Sequence, residues 1–283
     1  MNQKNLFYLM LIVWLLALMP FVPFYTNDEI NKPSGDQIKI MTYNIHFGQN
    51  NDGIFDIEGI GSVIKAQQPN IVAFQEVTYN SPFNGYTTMF IELRAMMESL
   101  GFDYYYTSEG YNYNIGNAIF SQYKIKSAKT FNYDDWNAWQ RNVIEAIIEV
   151  NDIEIIVYTT HLTHIPAGGD SGEIRISEVN QLIDIISRND LENDNIIVLG
   201  DFNIVAIDEN GLSVEEYTLM TEVVKDIWIE YAPLEDGFTS PADDASKRID
   251  FIFSSQNVNA TDCKVYVSLA SDHLPVTCEV QFN

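Results

Sequence analysis

The stretch NIIVLGDFN, residues 195–203, shows the pattern from which we predict the fold class of this chain. A short apolar run ends there in a glycine, an acid and an amide, which is typical of a strand that stops at a turn. Units of the same kind, with a polar side chain where an apolar run stops, recur along the sequence. The further units are IKIMTYN (38–44), NIVAFQEV (70–77), IIVYTTH (155–161), RIDFIF (248–253) and SDHLPV (271–276).

The segments between these units alternate between helix-like and strand-like patterns. Apolar residues recur at helical spacing over residues 57–64, 90–100 and 174–186, while many strand-like runs stand next to each other in pairs. Such pairs, with helices between them, predict an α/β (α+β) chain with two packed mixed β-sheets flanked by helices, and not a doubly wound parallel sheet. We predict that this domain covers residues 38–283.

The N-terminus carries a long segment without charges. Leu6–Tyr25 reads LFYLMLIVWLLALMPFVPFY, which is long enough to cross a bilayer as a helix. Lys4 before it and Asp28 after it predict a cytoplasmic N-terminus and an external domain. We expect residues 1–28 to form a hydrophobic helix, either a signal-anchor or a cleaved signal peptide, and residues 29–37 to form a linker. The protein would then be membrane-anchored with an extracytoplasmic domain, or secreted.

The charge balance is strongly acidic. The chain has 40 acidic and 15 basic residues, for a net charge of −25. Proteins that bind long nucleic acids usually present a basic stripe to the phosphates. The largest basic cluster here is the modest set Lys124, Lys126 and Lys129, so nucleic acid is the less favoured substrate.

The two cysteines, Cys263 and Cys278, form no CxxC pair, which excludes a zinc ribbon. In an oxidising compartment they could form a disulfide, and buried free thiols are the alternative.

The polar residues at the strand ends suit a single type of reaction. A hard cation such as Mg²⁺ takes oxygen ligands, and a water that attacks phosphorus needs a carboxylate to orient it. Charge that develops on the phosphoryl oxygens needs hydrogen-bond donors, and a histidine donor needs a carboxylate partner. The candidates are Glu76, Asp272 and the amide oxygen of Asn44 as metal ligands, Asp201 for the water, Asn203, His161 and His273 as donors, and Asp250 as the partner of His273.

Six blocks along residues 38–282 together resemble the endonuclease/exonuclease/phosphatase superfamily, which includes DNase I-like nucleases. The blocks are MTYN, FQEV, THL, GDFN, RIDFIF and SDHLPV, in this order and spacing. The resemblance implies a four-layer α/β sandwich and a Mg²⁺ cofactor, with Mn²⁺ as an alternative. It also implies the roles given above for the residues of these blocks, with Asn44, Glu76 and Asp272 in the metal site and His161 near the substrate phosphate.

Three more residues are similar to positions where members of this superfamily contact the substrate phosphate. They are Arg141, which opens RNVIEAIIEV, Arg175 in the helix that follows THL, and Asn117 in GNAIF. A surface ion pair is the alternative for each arginine.

GNAIF and RNVIEAIIEV with THLTH look similar to the sphingomyelinase and GPI-lipid-remodelling branches of the superfamily. We therefore expect a monomeric phosphodiesterase that acts on a small-molecule or lipid-headgroup phosphodiester. The alternatives are an exported DNase I-like endonuclease, a phosphomonoesterase, and a non-catalytic binding module on the same scaffold. Competent residue types fill the candidate positions, which disfavours the last alternative.

Overall fold

The computed structural model describes residues 37–79, 89–108, 115–134, 141–164, 171–208 and 210–282. The predicted N-terminal helix and residues 29–36 of the predicted linker lie outside these ranges. Gln37, the last residue of the predicted linker, pairs with Gln281 in the first strand. Among the described residues, no helix is both long and apolar enough to cross a membrane.

The regular elements follow the predicted alternation of strands and helices. The helices are α1 (Ile57–Gln67), α2 (Met89–Ser99), α3 (Ser171–Ile186), α4 (Glu215–Thr221) and α5 (Ile227–Tyr231). The strands are β1 (Gln37–Asn44), β2 (Ile71–Thr78), β3 (Tyr104–Thr107), β4 (Ile115–Ser121), β5 (Lys124–Asn132), β6 (Asn142–Val150), β7 (Ile153–His161), β8 (Asn195–Asp201), β9 (Lys225–Asp226), β10 (Asp250–Ser254), β11 (Val258–Val265) and β12 (Val276–Phe282).

The described strands form two mixed sheets of six strands each. The first has the order β11-β12-β1-β2-β4-β3 and the second has the order β5-β6-β7-β8-β10-β9. One pair in each sheet is parallel, β1 with β2 and β7 with β8, and the other pairs are antiparallel. β1, β7 and β8 end at Asn44, His161 and Asp201, which are residues of the predicted site, and the parallel pairing of β7 with β8 places two of these ends side by side.

Three apolar layers hold the sheets and helices together. Alternate residues of β1 face opposite ways: Ile38 and Ile40 join the core between the sheets, and Met41 and Tyr43 join the core under α1 and α2. The third layer lies between the second sheet and α3, where Val179, Leu182 and Ile186 are fully buried. Helix, sheet, sheet and helix make the four-layer α/β sandwich that the sequence predicts, so this prediction is confirmed.

Two local predictions differ from the structure. The sequence pattern over residues 264–268 predicts a strand, but the strand in the structure, β11, runs from Val258 to Val265. β5 was not predicted, because its side chains are mostly exposed and polar and give no apolar alternation.

The two cysteines lie opposite each other on β11 and β12 and form a disulfide. Both are buried in the core between the sheets. The strand register therefore decides a point that the sequence left open.

Candidate active site

The predicted site lies at one edge of the sandwich, on the seam between the two sheets. In the second sheet, His161 at the end of β7 is paired with Asp201 at the end of β8, and Asp201 is paired with Asp250 at the start of β10. In the first sheet, β1 ends at Asn44. The Nδ2 of Asn44 lies 2.9 Å from Oδ2 of Asp201, so one hydrogen bond joins the two sheets at the site.

Gly200 explains why the block GDFN can stand at this seam. A Cβ at this position would lie 2.0 Å from the carbonyl oxygen of Thr160 on the neighbouring strand. Any larger residue would push β8 away from β7. The glycine therefore sets the distance between the strands that carry Asp201 and His161.

Glu76 enters the site from an irregular point in β2. The register between β2 and β4 shifts between Phe74 and Val77, and Glu76 has a left-handed φ of 59°. Burial and the nearby Asp272 raise the pKa of Glu76 from 4.5 to about 7. Its Oε2 is buried and has no hydrogen-bond partner among the described residues. An unpaired buried carboxylate oxygen is costly, so this atom calls for a cation or a proton.

The amide of Asn44 is held by hydrogen bonds on both sides. The backbone N–H of His46 donates to Oδ1 of Asn44 at 3.1 Å, which identifies the oxygen. Its Nδ2 faces Oε1 of Glu76 at 3.3 Å as well as Asp201. The nitrogen thus points to these two carboxylates and helps to position them, and the role of Asn44 as a metal ligand stays a prediction.

Asp272 lies at the open side of the site, with its side chain 41% exposed. Its Oδ1 is 3.7 Å from Nδ1 of His46 and accepts a hydrogen bond from Ser271 Oγ at 3.3 Å. The Ser271 hydroxyl is also 2.8 Å from the carbonyl oxygen of Asn44. Sequence reasoning missed both contacts of this carboxylate: His46, which lies two residues after the block MTYN, and Ser271, which is the first residue of the block SDHLPV.

The residues fit a divalent metal on the Glu76 side of the site. Glu76 offers an unpaired oxygen, Asp272 is accessible, and oxygen donors suit a hard cation. Among the described residues, the group of three whose ligand atoms all lie within 4.8 Å of one another is a different one, Asp201, Asp250 and His273. In that set Nδ1 of His273 is already hydrogen-bonded to Asp250, so we favour the side of Glu76 and Asp272 for the metal.

His273 and Asp250 form a buried pair. Nδ1 of His273 is 2.8 Å from Oδ2 of Asp250, and its Nε2 is 3.8 Å from Oδ2 of Asp201. Burial by itself lowers the pKa of His273, but the two carboxylates outweigh it and hold the pKa well above the ordinary value. His273 is therefore an imidazolium at neutral pH. The hydroxyl of Thr239 accepts the backbone N–H of Asp250 at 3.3 Å and helps to fix the pair.

His161, unlike His273, is uncharged. Burial and the Arg141 guanidinium lower the pKa of His161 well below its ordinary value, so the ring is neutral. Nη1 of Arg141 lies 2.8 Å from Nδ1 of His161, and because a guanidinium only donates, Nδ1 must accept. The proton is then on Nε2, which lies 3.4 Å from Oδ2 of Asp201.

Asp201 lies between these groups. Burial and the neighbouring Asp250 raise the pKa of Asp201 from 3.8 to about 6. Its Oδ1 accepts the backbone N–H of Asn203 at 2.9 Å, and Asn203 has a left-handed φ of 52°. Nδ2 of Asn203 donates to the carbonyl oxygen of Leu162 at 3.0 Å. A carboxylate with a pKa near neutrality, held by fixed donors, has the properties of a general base.

Arg175 and Asn117, two of the residues predicted to contact the substrate phosphate, form hydrogen bonds within the protein. Nη1 of Arg175 donates to the carbonyl oxygens of Thr163 and His164, both at 3.1 Å, and its Nε donates to Glu216 at 3.3 Å. Nδ2 of Asn117 donates to the backbone and side chain of Asn142. These contacts make both residues supports of the site, and their role toward substrate stays a prediction.

A known family matches most of the chain, including the range in which the site lies. The model of the endonuclease/exonuclease/phosphatase family matches residues 41–273, a range that contains all the predicted site residues. A search of curated proteins finds no match to this chain.

Solved structures share the fold. An endonuclease/exonuclease/phosphatase from Beutenbergia cavernae DSM 12333 has a TM-score of 0.74 at 17% identity, over 88% of this chain and 72% of that chain. A mannosyl-6-phosphatase from Bacteroides thetaiotaomicron VPI-5482 has a TM-score of 0.65 at 18% identity, over 87% and 100%. TDP2 from D. rerio, complexed with a single-strand DNA product, has a TM-score of 0.66 at 16% identity, over 87% and 99%. At these identities the similarity is one of fold alone.

Proposed function

The chain belongs to the endonuclease/exonuclease/phosphatase family of phosphate-ester hydrolases, and from this premise we propose that it is a metal-dependent phosphodiesterase. The proposed substrates are phosphodiesters of small molecules or of lipid and glycolipid headgroups. The proposed place of action is outside the cytoplasm, with the domain anchored by the N-terminal segment or secreted.

The proposal depends on one observation: a neutral histidine and a positively charged histidine face the same carboxylate. Nε2 of neutral His161 and Nε2 of the His273 imidazolium lie 3.4 Å and 3.8 Å from Oδ2 of Asp201. A purely structural cluster would need no such difference in protonation. A base beside a cationic donor is the arrangement that hydrolysis of a phosphate ester requires.

In the proposed mechanism Asp201 orients the attacking water and accepts its proton. Its pKa of about 6 leaves it ionised at neutral pH and basic enough to take a proton. Asn44 and the backbone of Asn203 hold the two oxygens of this carboxylate in place. The attacking water therefore meets a base whose orientation is fixed before the substrate arrives.

The two histidines stabilise the phosphoryl group. The His273 imidazolium, held by Asp250, donates toward an oxygen on which negative charge develops. His161 keeps a proton on Nε2 because Arg141 occupies Nδ1, so it can also donate. A metal held by Glu76 and Asp272 would supply Lewis-acid polarisation of the phosphate.

Three observations favour the substrate class and location. The net charge of −25 disfavours long polyanions, whose binding depends on phosphate contacts with basic side chains. The Cys263–Cys278 disulfide is of a type that persists in oxidising compartments. The uncharged segment Leu6–Tyr25 is long enough to anchor the chain.

A substrate panel tests the proposal. The full chain is assayed on bis(p-nitrophenyl) phosphate, p-nitrophenyl phosphate, sphingomyelin, phosphatidylinositol and DNA, each with Mg²⁺ and with EDTA. We expect the diesters to be cleaved, at least one lipid diester to be preferred over DNA, and EDTA to abolish all activity. Asp201→Asn is the control for contaminating hydrolases.

Four results would contradict the proposal, each at a different level. Full activity after exhaustive chelation would contradict the metal role. Preference for the monoester would point to a phosphomonoesterase, and preference for DNA would point to a nuclease. Absence of activity on every substrate with Mg²⁺ and Mn²⁺ would leave only the non-catalytic alternative.

A further inference from the structure

Two loops beside the site present exposed aliphatic side chains. The first loop joins β1 to α1 and carries Ile54, and the second follows β11 and carries Val267 and Leu269. These side chains are 62%, 76% and 55% exposed. Isolated exposed aliphatic residues are normal on protein surfaces, but adjacent ones beside an active site are not. We name Ile54, Val267 and Leu269 together the apolar rim.

The first loop is held rigidly. The side-chain oxygen of Asn50 accepts the backbone N–H groups of Asp52 and Ile54, both at 3.0 Å. The backbone N–H of Asn50 in turn donates to the carbonyl oxygen of Ile54 at 2.8 Å. Ile54 is therefore kept in solvent by a closed turn, although its exposure costs free energy.

The second loop is also held in place. From Tyr266 to Ala270 the burial alternates, so that Tyr266 and Ala270 pack against the core under α1 and α2 while Val267 and Leu269 face solvent. The carbonyl oxygen of Leu269 accepts the backbone N–H of Asn51 at 3.0 Å, which ties the two loops together. The two loops that carry the apolar rim are thus joined by a backbone hydrogen bond.

The apolar rim lies next to the carboxylates of the site. Leu269 precedes Asp272 by three residues, and the loop of Ile54 begins just after His46, whose Nδ1 is 3.7 Å from Asp272. The two loops of the apolar rim are therefore connected along the chain to residues at the open, Asp272 side of the site.

We propose that the apolar rim inserts into an electrically neutral lipid surface and so brings the site to a headgroup phosphodiester. This inference rests on the proposed function and names the surface on which the enzyme works. Aliphatic side chains on fixed loops suit the boundary between headgroups and acyl chains.

Composition and charge favour a lipid surface over a protein partner. Protein interfaces are anchored by Trp, Tyr and Arg, and the apolar rim has none of these residues. A chain with a net charge of −25 is repelled by anionic surfaces, so a zwitterionic membrane fits better than an acidic one.

The chain length before β1 is compatible with this docking. β1 leads from Asn44 at the site to Gln37 and has 8 residues, about 26 Å at the usual rise per residue. Residues 26–36, which precede it, can reach about 36 Å when fully extended. The predicted anchor therefore leaves enough chain for the apolar rim to reach the membrane that holds the protein.

Insertion is tested by tryptophan fluorescence, which requires no catalysis. Val267→Trp in the full chain is placed in phosphatidylcholine vesicles with and without brominated acyl chains, and the wild-type signal is subtracted. Tyr104→Trp is the matched control, because Tyr104 is an exposed residue on β3, the opposite edge strand of the first sheet, and pairs with Ser121 at the end away from the site. We expect brominated lipid to quench the probe at Val267 and not the probe at Tyr104. Equal quenching of both probes, or of neither, would overturn the proposal.

A kinetic comparison separates docking from chemistry. In Val267→Ser/Leu269→Ser we expect hydrolysis of a diester in phosphatidylcholine vesicles to fall on the order of 10- to 100-fold, because two aliphatic side chains no longer become buried in the lipid. Hydrolysis of bis(p-nitrophenyl) phosphate should stay unchanged, and Tyr104→Ser should change neither rate. An equal loss on both substrates would contradict a docking role.

The two experiments also separate this inference from the proposed function. Quenching at Val267 without hydrolysis of any lipid would retain the docking surface and contradict the lipid substrate. Hydrolysis of a vesicle substrate without quenching would retain the lipid substrate and contradict the docking surface. A concentration-dependent dimer that is abolished by Val267→Ser/Leu269→Ser would assign the apolar rim to a second copy of the chain and overturn lipid docking.

Discussion

Replacing Asp250 with Asn tests the charge pair at the centre of the proposed mechanism. The change keeps the size of the side chain and removes the negative charge 2.8 Å from Nδ1 of His273. A hydrogen bond to a charged group contributes about 1.5–3 kcal/mol, which corresponds to roughly 10- to 150-fold in rate. We expect kcat of Asp250→Asn on bis(p-nitrophenyl) phosphate to fall within that range, with KM nearly unchanged.

The pH profile gives an independent readout of the same change. Asp250 and Asp201 hold the pKa of His273 well above its ordinary value against the effect of burial, so the wild-type imidazolium persists to alkaline pH. Its contribution to stability is fully present below the unfolded-state pKa and is lost as the pH rises through the folded-state pKa. In Asp250→Asn the alkaline limb of kcat and the alkaline loss of stability should both move to lower pH.

A double-mutant cycle decides whether the two residues act as a unit. His273→Ala should lower kcat on the order of 10²-fold or more. If Asp250 acts through His273, the double variant Asp250→Asn/His273→Ala should be hardly slower than His273→Ala alone. Strictly additive losses, in variants that circular dichroism shows to be folded, would refute the reasoning.

Three further predictions follow from the site. Asp201→Asn should lower kcat by about 10²–10⁴-fold if Asp201 is the base, whereas a rate within a few-fold of wild type would make it a turn residue. Because burial and Asp272 raise the pKa of Glu76 to about 7, the metal-free protein should lose stability as the pH rises from 4.5 through 7. Mg²⁺ binds the ionised form of Glu76, so it should raise the Tm measured by calorimetry more at pH 8 than at pH 5. Glu76→Gln should remove that difference. Arg141→Gln should release Nδ1 of His161, whose NMR titration should shift to higher pH because a cation no longer depresses its pKa; an unchanged titration would contradict the assigned contact. In cells, residues 38–283 should be accessible to protease from the extracytoplasmic side, and a fully protected domain would contradict the proposed location.

The layers of the fold, and the sheet edge at which the candidate site lies, could be predicted from the sequence. Apolar periodicity reports which face of an element is buried, so it identified the strands that end at Asn44, His161 and Asp201. Strand ends in a layered domain meet at one edge, and the family resemblance added the chemistry expected there. β5 escaped this reading because its exposed polar side chains carry no apolar alternation.

Only the tertiary structure decided how the side chains at that edge interact. The orientation of the Asn44 amide depends on the backbone N–H of His46, and the tautomer of His161 depends on Arg141. The position of the Arg175 guanidinium depends on the two carbonyl oxygens after β7 to which it donates. The physical reason is that local apolar periodicity indicates which residues are buried. Hydrogen bonds and pKa values depend instead on distances between residues far apart in the chain, and those distances are set when the two sheets pack together.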